Sequence, residues 1–118
     1  MNSVSFLFRS PAHSSSAGRE GIDAVLACAA LTDDIQLFFI GAGVTQLVAK
    51  QDVGLSGLKD YAPMLKLFDL YDIENIYVCE SSLAQWGLAK EDLLIDVNVI
   101  GAEKMSELLR SSRNLLSF

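Results

Sequence analysis

The sequence predicts a compact three-layer α/β/α fold on a mainly parallel five-stranded sheet. Three observations carry this expectation. Short β-type runs alternate along the chain with segments whose apolar residues recur at helical spacing, the pattern of successive βαβ units. The run Ile35–Ile40 is almost wholly apolar, as expected of a strand buried on both faces at the centre of a parallel sheet. The length of 118 residues, with 51% apolar and 20% charged residues, suits one domain over 1–118 that buries its own core without disulfides or metals.

The elements follow in order. Val4–Phe8 is the first strand, closed by Arg9-Ser10-Pro11, and the Ser-rich loop Ser10–Ser16 carries the single histidine, His13. Ile22, Val25, Leu26 and Ala29 share a helical face, so a helix runs from about Ala17 to Leu31 and ends at Thr32-Asp33-Asp34. After the second strand, Gly41-Ala42-Gly43 turns the chain, and Val44–Ala49 is at most a short helix. Lys50–Lys59 is polar and glycine-containing and reads as a mobile loop. Tyr61, Met64, Leu65 and Phe68 mark the next helix, with Asp60 as its cap and Pro63 in its first turn.

Glu74–Cys79 is the third strand. Ser81 and Ser82 then open a helix through Leu83 and Trp86, stopped by Gly87. Leu94–Ile100 is a fourth strand, interrupted by Asp96 and Asn98. Met105, Leu108 and Leu109 give the last helix, and Asn114–Phe118 is a terminal strand. This succession suits a flavodoxin-like layout and leaves the strand order open.

Charge excludes several functions. Fifteen acids against nine bases give a net charge of −6, which phosphate backbones repel, so direct nucleic-acid binding is not expected. No apolar stretch approaches the roughly 20 residues that cross a bilayer. The mean hydropathy of +0.33 is high for a small soluble monomer and places apolar surface at subunit interfaces. Two distant cysteines, Cys28 and Cys79, and one histidine cannot assemble a zinc set, and no cofactor is implied. The amino terminus reads as a strand and not as a signal peptide, which makes the reducing cytoplasm the default compartment.

Reactive groups in an open α/β sheet gather beyond the carboxyl ends of the strands. Gly41-Ala42-Gly43-Val44-Thr45-Gln46 begins like a dinucleotide fingerprint but has Gln46 where a third glycine or alanine belongs, and a plain tight turn accounts for it. Cys79 is the candidate persulfide carrier. It ends a strand just before a helix whose free N–H groups favour a thiolate, although Glu80 beside it opposes negative sulfur. The alternative is a small apolar filler, the expected role of Cys28. His13 would share a sheet edge with Cys79 if the strand order were 2-1-3-4-5. Otherwise it is a solvated loop residue.

Arg19 stands in the first turn of a helix, where a cation is unfavourable, so a partner is expected from Glu20, Asp23 or another chain. Leu67 and Tyr71, four apart, widen the apolar stripe of their helix beyond one sheet contact and are candidates for a subunit interface, with His13 and Arg19.

Several stretches resemble the DsrF/TusC family. Ala12-His13, Ala17–Ala24 and Ala30–Asp34 look like that family's first helix and its flanks. Phe38-Phe39-Ile40, Gly43-Val44, Gln46-Leu47 and Lys66–Glu74, running into Tyr77-Val78-Cys79, continue the likeness. It implies a DsrE-like fold and a dimer of heterotrimers with TusB-like and TusD-like siblings. That assembly relays persulfide sulfur to a downstream carrier, toward 2-thiouridine at the tRNA wobble position. In sulfur-oxidising bacteria the DsrEFH assembly serves dissimilatory sulfur metabolism instead. The resemblance implies a non-catalytic subunit, since the family's principal acceptor cysteine belongs to the TusD/DsrE-type sibling. Cys79 nevertheless occupies a similar strand-end position.

Overall fold

Five parallel strands form one sheet in the order β4-β3-β2-β1-β5: β1 is Val4–Phe8, β2 Ile35–Phe39, β3 Asn75–Cys79, β4 Asn98–Ile100 and β5 Leu115–Ser117. Among the described residues, the α-helices with complete bounds are α1 (Ala17–Ala29), α2 (Glu80–Gln85) and α3 (Ala102–Ser111). The computed structural model describes residues 4–9, 17–32, 34–47, 67–68, 70–71, 73–93 and 95–118, with 17–19 as backbone alone.

The chain lays β1 to β4 side by side in one direction and then returns to place β5 on the far side of β1. Right-handed crossovers put the helices of the first three connections on one face of such a sheet and that of the last connection on the other. The packing agrees. Phe6, Phe8, Leu37, Phe39, Ile76 and Val78 point to the first face, where Ile22 and Val25 of α1, Leu83 of α2 and Phe68 bury them. Leu7, Phe38 and Cys79 point to the second, beneath Met105 of α3. Because β1 and β2 are buried on both faces, both are apolar almost throughout. The edge strands β4 and β5 are short and more exposed.

The order differs from 2-1-3-4-5. β2 lies between β1 and β3, so the strand leading toward His13 and the strand ending at Cys79 are not neighbours, and the basis for a Cys–His pair is lost. His13 itself, the Lys50–Lys59 loop, and Asp60, Tyr61, Pro63, Met64 and Leu65 lie outside the described residues. Leu67, Phe68 and Leu70 are helical, as the spacing predicts.

Other boundaries moved for local reasons. Helix α1 ends two residues earlier than Leu31, at Ala29. The N–H groups of Leu31 and Thr32 both turn back onto the Cys28 carbonyl, and the Thr32 hydroxyl accepts the Asp34 N–H at 3.1 Å. The fourth strand shrinks from Leu94–Ile100 to Asn98–Ile100. A 3-10 turn, Lys90–Asp92, precedes it, closed by an Asp92 carboxylate that accepts the Ala89 N–H at 2.9 Å. Leu93 and Val97 anchor that connection in the core while Asp96 faces solvent. Gly87 stops α2 as expected, with φ +66 and the paired bonds Gly87 N–H to Ala84 and Leu88 N–H to Leu83.

Candidate functional site

The carboxyl ends of β2 and β3 meet at one corner of the sheet. After β2, residues Gly41–Leu47 coil into 3-10 turns. Two features force this path. Gly41 has φ +53, and Gly43 passes so close to β1 that a Cβ there would come within 2.0 Å of the Phe8 carbonyl oxygen. Val44, Gln46 and Leu47 are buried. The stretch therefore fills the core. It does not open an α-helix over a phosphate, and the dinucleotide reading of Gly41–Gln46 is not supported.

Cys79 ends β3 and serves as the residue before the first turn of α2, with extended backbone angles and no side-chain cap. Its residue surface is 7% exposed. Its Sγ lies 3.2 Å from the Ser81 hydroxyl. The Ser82 hydroxyl, on the same turn, accepts the Gly41 N–H at 2.8 Å and so fastens the coil after β2 to the start of α2.

Burial pushes the Cys79 thiol up, but hydrogen bonding outweighs it. The Ser81 hydroxyl, the Ser82 backbone and hydroxyl, and the Ser81 backbone all favour the thiolate, and the net direction is downward. Hydrogen bonds of this kind favour the thiolate, the nucleophilic form of the sulfur. Among the described residues no group of three or more His, Cys, Asp or Glu side chains could hold a metal ion. Nor is any helix among them long and apolar enough to cross a membrane.

The remaining sequence candidates are scattered. Cys28 is half-buried and packs against the core, as expected of a filler. Phe68, 1% exposed, is core, whereas Tyr71 and Trp86 each expose about half their surface (47%). Leu67 is half-buried beside them in sequence. Arg19 lies in the first turn of α1, with its side chain outside the described residues. The sequence reading missed Ser82 as the link to Gly41. The two are 41 residues apart, and only the pairing of β2 with β3 brings them together.

The corner built by these strands belongs to a known architecture. The DsrE/DsrF-like family profile matches residues 2–118. The chain belongs to that family. Proteins named TusC homolog from Vibrio vulnificus and Vibrio parahaemolyticus are 52% and 53% identical to it, each over the whole length of both chains. A protein named TusC from Klebsiella pneumoniae is 40% identical, again over the whole of both. Among solved structures, the YchN protein of E. coli superposes with a TM-score of 0.84 at 16% identity, covering 100% of each chain. A protein of unknown function from Methanobacterium thermoautotrophicum superposes at 0.69 and 15% identity, covering 98% of this chain and 99% of its own. At such low identity these two likenesses concern the fold alone. They agree with the α/β fold that the sequence predicts.

Proposed function

We propose that this chain is a non-catalytic subunit of a sulfur-relay complex. It assembles in the cytoplasm with TusB-like and TusD-like siblings as a dimer of heterotrimers. The complex hands persulfide sulfur to a downstream carrier, toward 2-thiouridine formation at the tRNA wobble position. The observation that carries this reading is the end-to-end similarity to proteins named TusC. The charge of −6 agrees with it, since the RNA is then contacted by other proteins. Leu67 and Tyr71, with His13 and Arg19, are the residues assigned to sibling contacts. The half-exposed Tyr71 ring supports that assignment.

Purification of the tagged chain from its native host tests the proposal, with the intact mass of the complex as the readout. Two sibling subunits in equal amount are expected. A stable monomer with no affinity for them overturns the reading. A deletion strain should lose 2-thiouridine from its tRNA. Full retention would point instead to a DsrEFH-type role in dissimilatory sulfur oxidation.

One observation favours a second reading, in which Cys79 itself carries sulfur: its thiol is lowered by the Ser81 and Ser82 hydrogen bonds. The Cys79 thiolate would attack the terminal sulfur of a donor persulfide. A new S–S bond forms at Cys79, the donor S–S bond breaks, and the donor cysteine leaves as thiolate. Incubation of the complex with a cysteine desulfurase and cysteine, followed by mass spectrometry, would find one added sulfur atom on Cys79. Sulfur found only on a sibling subunit eliminates this reading.

A further inference from the structure

We propose that β5, at the edge of the sheet, accepts an extended segment of a partner protein as a sixth strand, and that this segment has an apolar centre flanked by acidic residues. The proposal goes beyond the subunit reading and does not depend on it. In the order β4-β3-β2-β1-β5 this edge is three places from β3, the strand that follows Tyr71.

The backbone decides what the edge can bind. On the side facing β1, the Asn114 carbonyl accepts the Ser5 N–H, the Phe118 N–H donates to the Leu7 carbonyl, and the Phe118 carbonyl accepts the Arg9 N–H, each at 2.8 Å. Peptide groups alternate in direction along a strand, so Leu115 and Ser117 turn their N–H and C=O groups away from β1. Among the described residues no strand pairs with that outer side. Register sets Leu115 beside Ser5 and Leu116 beside Phe6, so the two leucines project to opposite faces, and they are 42% and 46% exposed. An added strand therefore finds main-chain partners along its length and an apolar neighbour on each face. Strand addition at a sheet edge works this way, with backbone bonds supplying affinity and alternate side chains supplying specificity.

Charge selects the occupant. Arg110 and Arg113 precede β5, Arg9 leaves β1 beside Phe118, and all three are exposed. No acid occurs from Leu108 to Phe118. The described acids around this edge lie further off: Glu107 on α3, one turn before Arg110; Glu20 on α1, whose neighbour Gly21 backs onto the Phe118 ring; and Asp34, across β1 at the start of β2. Three bases therefore border the free edge on a chain of net −6, and a strand with an acid beside Arg113 gains from both charge and backbone. A second copy suits the edge less well. Two β5 strands paired antiparallel about Leu116 would bring Arg113 of each copy toward Arg9 of the other, because the Arg9 N–H is bonded at Phe118. RNA could use the arginines but would leave Leu115 and Leu116 uncovered.

The test uses the full chain and a capped peptide, Glu-Val-Thr-Val-Thr-Glu, with Lys-Val-Thr-Val-Thr-Lys as its control. Amide resonances of the chain report binding. The acidic peptide should shift the Leu115 and Ser117 amides and bind about tenfold or more tightly than the basic one. Ser117→Pro removes an outward N–H without touching a bond to β1, so its melting curve should match the parent while binding of the acidic peptide falls about tenfold or more. Arg113→Glu changes an exposed side chain and should reverse the preference between the two peptides. Failure of the acidic peptide to shift these amides at about 1 mM overturns the proposal. So does a folded Ser117→Pro chain that binds it as the parent does. Should Ser117→Pro not fold, Arg113→Glu decides alone, and an unchanged preference overturns the proposal. Self-association that Ser117→Pro abolishes would make a second copy the occupant. Binding of tRNA that needs Arg113 and survives Ser117→Pro would assign the edge to RNA. Either result overturns the choice of a partner protein's strand.

Discussion

The hydroxyl of Ser82 accepts the backbone N–H of Gly41 at 2.8 Å, and through this bond the turn leaving β2 is tied to the helix that follows Cys79. The same hydroxyl favours the Cys79 thiolate. One side chain thus joins the path of the backbone to the state of the sulfur. Ser82→Ala would leave the Gly41 N–H without its acceptor, at a cost of about 1–3 kcal/mol. Urea unfolding should show the midpoint falling with the slope unchanged. A midpoint equal to the parent's would mean that water replaces the hydroxyl at no cost.

Ser81→Ala should move the thiol titration upward, because the 3.2 Å contact to the sulfur is lost. Thiolate ultraviolet absorbance, followed against pH in a Cys28→Ala background, isolates the Cys79 curve. Stability should follow the same chemistry. The folded thiol is lowered relative to the unfolded one, whose ordinary value is 9.0, so the thiolate stabilises the fold fully above that value. The gain is lost as pH falls through the lowered folded value. Relative to Cys79→Ala, the parent should therefore gain stability on going from neutral to mildly alkaline pH. A constant difference across that window would show that the sulfur titrates alike in both states.

Gly21→Ala and Gly43→Ala separate two kinds of crowding. At Gly21 an added Cβ would meet the rings of Phe8 and Phe118, at 2.5 and 2.8 Å; the half-buried Phe118 ring has room to give, whereas Phe8 is buried and stacked on Phe39. The expected cost is about 1–3 kcal/mol, the usual range for overpacking. At Gly43 the obstacle is the Phe8 carbonyl, whose backbone is fixed by pairing with β2. Gly43→Ala should therefore lower the melting temperature further than Gly21→Ala. Equal melting temperatures would show that β1 can move away at its carboxyl end.

Much of the fold was legible because its cause is local. Val4–Phe8 is bounded by its own breakers, and Gly87 ends α2 through its positive φ, so both could be read from neighbouring residues. The strand order could not. Whether β3 pairs with β1 or β2 depends on which side each crossover returns to, and residue spacing does not record that. The site divides the same way. Cys79 at a strand end before a helix was visible in the sequence, but its coupling to Gly41 through Ser82 exists only because two strands pair. The shortening of the fourth strand was not legible because Ile95, Val97 and Val99 alternate as in a strand, while Ile95 and Val97 pack an irregular connection against the core.

Phe68 and Tyr71 lie on one helical segment but in opposite environments, which makes a paired measurement decisive for the interface. Phe68 is 1% exposed and packs in the core, so Phe68→Ala should cost about 3–5 kcal/mol in the isolated chain. Tyr71 is 47% exposed, and Tyr71→Ala should leave the isolated chain within about 1 kcal/mol of the parent. In the assembled complex the order should reverse for Tyr71. Its burial against a sibling subunit would contribute about 25 cal/mol per Å² of apolar surface, opposed by the entropy of association. Affinity for the siblings, measured beside the melting temperature of the free subunit, distinguishes the two roles. A large loss of subunit stability with assembly intact would show that Tyr71 belongs to the core and that the interface lies elsewhere.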